Sequence, residues 1–492
     1  MCGIAGVSGV LDTNIEIIQM LAALGHRGPD ACGTYQTGGL SIGNTLLKIT
    51  GDMPQPLVGK GALVLNGEVF NFGELAAESG IITDSDTEVL FSLIETLIRE
   101  GDTPINAVFS VLSRVNGDYA LAYARDSELV LARDPVGVKP LFYSIKKGIE
   151  KPEIAFASEK KAFVAFGRKI KPFPPGSIMS FNIRSGRLEE KFLRIKPPQE
   201  RISEESEAVS LLKAALEKAV EIRLTQASGI AFSGGIDSTF LAALAKKVNP
   251  DIPLYAVGLP DSHDITQAGS AAKATGMTDS LRLHLLSPKE IEAAVPHVIY
   301  ATESTDPMKI AIGLPLYIVA KTAREDGKRV LLTGQGADEL FGGYSRHEGF
   351  LEQGPEVLDR EIYSDIQNIS TINLERDDMV TMANSVELRV PFLDKEVIRT
   401  GLSISPELKV FKKSGSYTRK YILRKAAEEV LPSELLWKEK KAMQYGTGVQ
   451  KVLDKLAREA GFSKREGNHI EKYLKQVAAE QGFDFILTDK IN

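Results

Sequence analysis

Ala231-Phe232-Ser233-Gly234-Gly235-Ile236-Asp237-Ser238-Thr239 lies between an apolar run, Gly229–Phe232, and a helix-spaced stretch, STFLAALAKKV (238–248). A strand, a Gly-rich turn and a helix in that order decide how the rest of the chain is read. The glycines let the backbone approach an oxyanion closely. Ser238 and the helix N-terminus add N–H groups and the positive end of a helix dipole, so the turn suits a phosphate. The pattern is not GxxxxGK[ST]. Outward from this turn, helical and strand-like segments alternate. An amphipathic helix starts at Glu205 (SEAVSLLKAALEKAVEIRL), and the strands PLYAVGL (253–259) and RVLLTG (329–334) follow with helical segments between them. Alternation of this kind predicts a doubly wound α/β domain on a parallel sheet, here over 205–460. After Pro391 the pattern is mostly helical, and 461–492 reads as a polar, loosely docked tail.

The first 190 residues read differently. Short runs such as GIAGVSG (3–9), GALVLNGEVFN (61–71), DYALAYA (118–124) and LVLARD (129–134) are strand-like, with Gly, Asn and Asp punctuation. Ile15–Leu24 and Thr87–Ile98 carry apolar residues at helical spacing. The expectation is an α+β domain with much antiparallel sheet. A charged segment with Pro197–Pro198, within 190–206, serves as linker. The chain of 492 residues is long enough for two or three domains.

Composition excludes several classes. With 43% hydrophobic residues the chain can bury a core, so disorder is not its main state. A net charge of −6 without a basic stripe argues against a nucleic-acid partner. Two cysteines, Cys2 and Cys32, are too few for a disulfide framework or a multi-cysteine zinc site. No apolar run has the roughly 18 residues of a membrane span, and no basic, then apolar, leader opens the sequence. A cytoplasmic enzyme with no membrane partner is the default expectation.

Cys2 follows Met1 directly, and a small second residue permits Met1 to be removed. An N-terminal Cys carries a thiol and an α-amine together, and the amine can serve as base for the thiol. MCGIAGV is followed by HRGPD (26–30), NGEVFN (66–71), SDTEVL (85–90) and RDPVGVKPLFY (133–143). In this order the segment 1–190 resembles the class II, N-terminal-nucleophile glutamine amidotransferase domain, a layered αββα-type fold. The resemblance implies Cys2 as nucleophile, with Asn66 and the Gly67 N–H as oxyanion hole. It also implies Glu68 and Asp86 as holders of the glutamine amine and amide. Asp86 also reads as a helix N-cap before TEVLFSLI. The family's Arg that grips the glutamine α-carboxylate lies in a pattern like HxRLxI. Here that segment reads Asn44-Thr45-Leu46-Leu47-Lys48-Ile49. Leu46 stands at the Arg position, and Lys48 and Arg27 are the nearby cations.

The turn at 233–238 resembles the pyrophosphate loop of the ATP pyrophosphatases. Val257-Gly258-Leu259-Pro260, SHD (262–264), ESTD (303–306), GQGADELFGGY (334–344), SVELRVPFLD (385–394) and KYILR (420–424) complete a set. This set resembles the synthetase domain of glutamine-hydrolysing asparagine synthetases. The resemblance implies ATP as cosubstrate, bound by Ser233, Gly234, Gly235, Asp237, Ser238, Val257, Gly258 and Gly334. It implies Mg²⁺ on Asp237 and Asp338, and Lys420 neutralising charge on the leaving pyrophosphate. Arg389 and Asp394 read as structural or positioning residues. Asp338-Glu339 alone would read as an exposed acidic pair capping a helix. Gln335 departs from the Glu that these enzymes often carry there. The implied reaction is adenylation of aspartate, then amidation by ammonia from glutamine. A related ligase for another carboxylate, an ammonia-dependent one, or a nucleotide-binding non-enzyme are the alternatives, and a homodimer is the candidate assembly.

Overall fold

The computed structural model describes residues 2–9, 13–146, 152–166, 169–196, 199–437, 446–483 and 486, so the fate of Met1 and the Pro197–Pro198 pair lie outside the described residues. The chain divides into two compact units, the first running to Ile195 and the second spanning Lys196–Gly482.

The first unit is built on two six-stranded antiparallel sheets. One has the order Lys171–Pro172, Phe142–Lys146, Glu153–Ala157, Cys2–Ser8, Leu40–Leu46, Ala31–Thr37. The other runs Leu188–Phe192, Ser177–Asn182, Glu128–Arg133, Gly117–Arg125, Ala62–Val69, Leu57–Val58. Alternation along each strand builds two cores, because successive side chains leave opposite faces. Ala62 and Val64 join Ile4, Ile42 and Leu46 between the sheets. Leu63 and Leu65 point the other way, onto Val89, Leu90 and Ile94 of the helix Asp86–Arg99 and Val108 and Leu112 of the helix Pro104–Arg114. The helix Thr13–Ala23 covers the first sheet with Ile17, Met20 and Leu21. The result is the expected αββα layering. The helices Phe72–Ser79 and Pro104–Arg114 were not expected from periodicity. The second carried usable signals, since Thr103 accepts from the Asn106 N–H and Pro104 opens the first turn.

The second unit is a parallel five-stranded sheet in the order Leu281–Leu285, Leu254–Gly258, Ser228–Ala231, Val330–Leu332, Glu387–Arg389. The first of these strands in the chain lies at the centre. The chain winds outward on one side, then returns to wind outward on the other. The crevice at the carboxyl end of Ser228–Ala231 is therefore the switch point where ligands of open α/β sheets bind. Arg389 and Asp394 are scaffolding: Arg389 Nε bonds Glu387 at 2.6 Å, and Asp394 accepts Arg223 at 2.6 Å while its other oxygen caps the helix Lys395–Ser403.

The region after Pro391 is mostly helical, as expected, and also contains a hairpin, Val410–Lys413 with Ser416–Arg419. Its turn puts Ser414 and Gly415 at φ 50° and 83°, the paired left-handed geometry that matches strand twist. The segment expected to be a loose tail forms a helix, His469–Glu480, which buries Tyr473, Leu474 and Ala478. Those three lie on one helical face, a period that the surrounding charges masked. No helix among the described residues is long and apolar enough to cross a membrane.

Just before the hairpin, Lys409 is fully buried and its Nζ has no hydrogen-bond partner. Burial pushes its pKa down to about 7, with Asp359 pulling upward and Arg201 adding to the fall. The unfolded chain holds this proton up to about pH 10.4. The folded state therefore gains stability from this group as pH rises from about 7 to about 10, and loses it over the same range as pH falls. Lys409→Met is expected to stabilise the second unit by about 4–5 kcal/mol near pH 6.5, shrinking to about 1–2 kcal/mol at pH 9.5. Urea unfolding at the two pH values checks this.

Candidate functional site

In the first unit, the strand pairing sets Cys2 opposite Leu46. Cys2, Leu46, Lys48, Gln55, Gly67, Glu68 and Asp86 border a narrow cleft. Cys2 is 3% exposed, and its backbone N–H donates to Asn66 Oδ1 at 3.3 Å. Burial pushes the thiol pKa up; the Leu47 backbone and the Asn44 side chain pull it down, and the charge of Asp86 adds to the rise. The thiol is thus neutral at rest and needs a base to become a nucleophile.

Asn66 is wholly buried, and its Nδ2 has no hydrogen-bond partner. A buried amide donor left unpaired is destabilising by about 1–3 kcal/mol, which calls for a ligand to receive it. Gly67 follows on the strand Ala62–Val69. A Cβ there would lie 2.2 Å from the Asp118 carbonyl oxygen, so only glycine allows the neighbouring strand to approach. Asp86 is buried and accepts from Val69 N–H at 3.0 Å and Thr87 N–H at 2.6 Å. Burial raises its pKa and these donors lower it. The N-cap reading of Asp86 is corrected: Ser85 caps the helix by accepting from Glu88 N–H at 3.3 Å, and this leaves the Asp86 side chain at the cleft wall.

Of the two cations near Leu46, Arg27 is committed elsewhere. It is fully buried, donates to the Cys2 carbonyl oxygen at 3.2 Å and pairs with Glu159 at 2.7 Å. His26 and Lys161 reach the same carboxylate at 3.1 and 2.6 Å. Burial alone would raise Glu159, but His26, Lys161 and Arg27 hold it well below the usual carboxylate range. This cluster anchors the start of the Cys2 strand. Sequence reasoning missed Glu159, which sits 132 residues from Arg27 and carries no local signal beyond an acid after a strand. Lys48 is the cation among the described residues that border the cleft, and it pairs with the exposed Asp52.

In the second unit, the phosphate turn takes the expected form. Gly234 has φ 71°, and a Cβ there would lie 2.6 Å from the Gln267 carbonyl oxygen. Ser233 Oγ and Ser238 Oγ lie 3.1 Å apart, and Ser233 Oγ accepts from Gly235 N–H at 3.3 Å, shaping the turn before the helix Ile236–Val248. Val257 and Gly258 end the adjacent strand. Gly334 follows the strand on the other side, and a Cβ there would lie 2.9 Å from the Asp237 Cβ. All eight residues assigned to the nucleotide from sequence thus lie at or just beyond the carboxyl edge of the sheet.

Lys420, delivered by the hairpin, joins the two carboxylates. Its Nζ lies 2.8 and 2.6 Å from the oxygens of Asp237 and 2.8 Å from Asp338 Oδ1. Burial would lower its pKa, but Asp237 and Asp338 hold it above the ordinary value, so it is charged. Its φ of 55° is unusual for a side-chain-bearing residue, a strain of the kind kept at functional positions. The exposed-pair reading of Asp338-Glu339 is overturned: Glu339 is 3% exposed and accepts from Tyr344 Oη at 2.5 Å and Asn373 at 2.8 Å.

Comparison with known proteins agrees with this two-site arrangement. A family model described as glutamine amidotransferase domain matches residues 1–184, and one described as asparagine synthase matches 211–351 and 350–484. The chain is 35% identical to the putative asparagine synthetase [glutamine-hydrolyzing] 1 of Methanocaldococcus jannaschii, over 97% of this chain and 99% of the relative. It is 28% identical to asparagine synthetase [glutamine-hydrolyzing] 1 of Arabidopsis thaliana, covering 98% and 87%, and 28% identical to asparagine synthetase B [glutamine-hydrolyzing] of Escherichia coli K12, covering 91% and 83%. A glutamine amidotransferase domain joined to an ATP-using synthetase domain defines the class. The chain belongs to the asparagine synthase family.

Proposed function

We propose that the chain is a glutamine-dependent, AMP-forming asparagine synthetase. The observation that carries this reading is the convergence of Asp237, Asp338 and Lys420 beside the phosphate turn at the switch point of the parallel sheet. In the first half-reaction Cys2, with Met1 removed, gives its thiol proton to its own α-amine and attacks the glutamine side-chain amide. Asn66 Nδ2 and the Gly67 N–H receive the oxyanion of the tetrahedral state. Ammonia leaves, and water releases glutamate from the thioester. In the second half-reaction an aspartate carboxylate oxygen attacks the α-phosphorus of ATP and pyrophosphate departs. Ser233, Gly235 and Ser238 cradle the phosphates, Val257 and Gly258 flank the nucleoside, and Lys420 neutralises charge on the leaving group. Ammonia then attacks the acyl carbon and AMP departs.

Asp237 and Asp338 meet at one ammonium, so their oxygens already converge on a point that a cation can occupy. Two carboxylates plus phosphate oxygens and water suit Mg²⁺. When bound there, Mg²⁺ would supply charge neutralisation for the phosphates.

Glu68 and Asp86 offer negative charge for the glutamine α-amine, and Lys48 offers the positive charge for its α-carboxylate. Exposed pairs like Lys48–Asp52 are weak, so glutamine can displace Asp52 at little cost. Lys48→Met is expected to raise the glutamine KM about tenfold while ammonium-driven synthesis stays within about twofold, as initial rates with each nitrogen source would reveal.

Gln335 favours keeping a second acceptor in view, since an amide cannot take a proton near neutrality. Pyrophosphate release from ATP across a panel of carboxylates tests the acceptor. Release with aspartate, with asparagine formed, supports the reading; release only with other acids refutes it.

A further inference from the structure

Gln335 is partly exposed in the loop between Gly334, which touches Asp237, and Asp338, which pairs with Lys420. Its Nε2 lies 2.5 Å from Asp377 Oδ2, and no described residue bonds its Oε1. Asp377 is wholly buried in the helix Glu375–Met382. Its second oxygen accepts from Arg376 Nε at 2.8 Å. Arg376 in turn reaches Asn373 Oδ1 at 3.5 Å, and Asn373 donates to Glu339 at 2.8 Å. The segment just before this helix, Ser370–Leu374, is a π-helical turn, a feature that re-aims side chains and recurs at functional positions. Burial pushes the Asp377 carboxyl up and Arg376 and Gln335 pull it down.

A carboxamide has a donor end and an acceptor end, and a carboxylate only accepts. Asp377 therefore fixes which end of Gln335 faces it, and so which end is left for another partner. We propose that Asp377 is a positioning residue for the amide-forming step: it holds the Gln335 Nε2–H so that Gln335 Oε1 faces the site and accepts a hydrogen bond from the incoming nitrogen nucleophile. The proposal rests on the synthetase reading above. In that step a C–N bond forms and the acyl C–O bond to AMP breaks. The nitrogen's surplus proton leaves to the departing phosphate or to water, because an amide oxygen orients the N–H without taking its proton. Arg376 demands an acceptor, so it selects the oxygen of an amide placed at position 377. Asp377→Asn then turns an N–H towards Gln335, which must flip and present its own N–H to the nucleophile.

The test measures asparagine formed per pyrophosphate released, with ATP, aspartate and ammonium. The ratio is expected to be near one in the natural chain and to fall about fivefold in Asp377→Asn, the loss of one oriented hydrogen bond. Gln335→Met, a change at a partly exposed loop position, is expected to show the same fall even where the buried substitution lowers the yield of folded protein. Adding Gln335→Glu to Asp377→Asn is expected to restore the ratio, because both carboxylate oxygens accept and orientation no longer matters. A merely structural role lowers both products together and leaves the ratio near one, which overturns the proposal, as does failure of the Glu rescue. If the natural chain releases no pyrophosphate with aspartate, the synthetase reading itself fails, an outcome distinct from a coupled enzyme whose variants keep their ratio.

Discussion

Cys2→Ala is expected to abolish glutamine-driven synthesis, by at least about 10³-fold, and to leave ammonium-driven synthesis within about twofold. Cys2 borders the cleft and its backbone N–H bonds the same Asn66 whose Nδ2 is unpaired, so the account assigns the attack to this thiol. The substitution removes one sulfur from a buried strand end and leaves the strand's backbone bond to Arg27 intact. Stability should therefore change little, and the defect should be chemical. Glutamate release and asparagine formation, followed separately for the two nitrogen sources, measure it. Equal loss with both sources would show that Cys2 supports the fold instead.

Lys420→Met is expected to lower pyrophosphate release by about 10²–10³-fold with either nitrogen source, while glutamate release without ATP stays unchanged. The ammonium is held between two carboxylates at 2.6–2.8 Å. Its removal deletes the positive charge that meets the departing phosphate oxygens and leaves Asp237 and Asp338 facing one another. Lys420→Arg should not restore activity. A Cβ on Gly343 would already lie 2.3 Å from Lys420 Cε, so there is no width for a guanidinium fork. Full activity in the Arg variant would show that charge alone suffices and that the tight geometry is incidental.

Much of this arrangement was legible in the chain because it is local. SGGIDS reads as a phosphate turn through the positive φ of Gly234 and the serines that brace it. The two opposed faces of Ala62–Val69 follow from a period of two. Asp86 reads both as a glutamine holder and as a helix cap, because Asp is a good one; Ser85, one residue earlier, takes the capping task and leaves Asp86 at the cleft. What escaped was set by distance in sequence. Glu159 meets Arg27 across the sheet, and Asp377 meets Gln335 across 42 residues. No spacing rule links such pairs, since only the packing of distant elements brings them together. The hairpin before Lys420 was hidden by its length, four residues a side, within a helical region.

The most direct measurement supplies glutamine labelled with ¹⁵N in its side-chain amide, together with ATP and unlabelled aspartate, and follows the label by mass spectrometry. The account predicts that asparagine carries the ¹⁵N in its side-chain amide, with one AMP and one pyrophosphate released for each asparagine made. Unlabelled asparagine, or label appearing only as free ammonia while ATP stays intact, would contradict it.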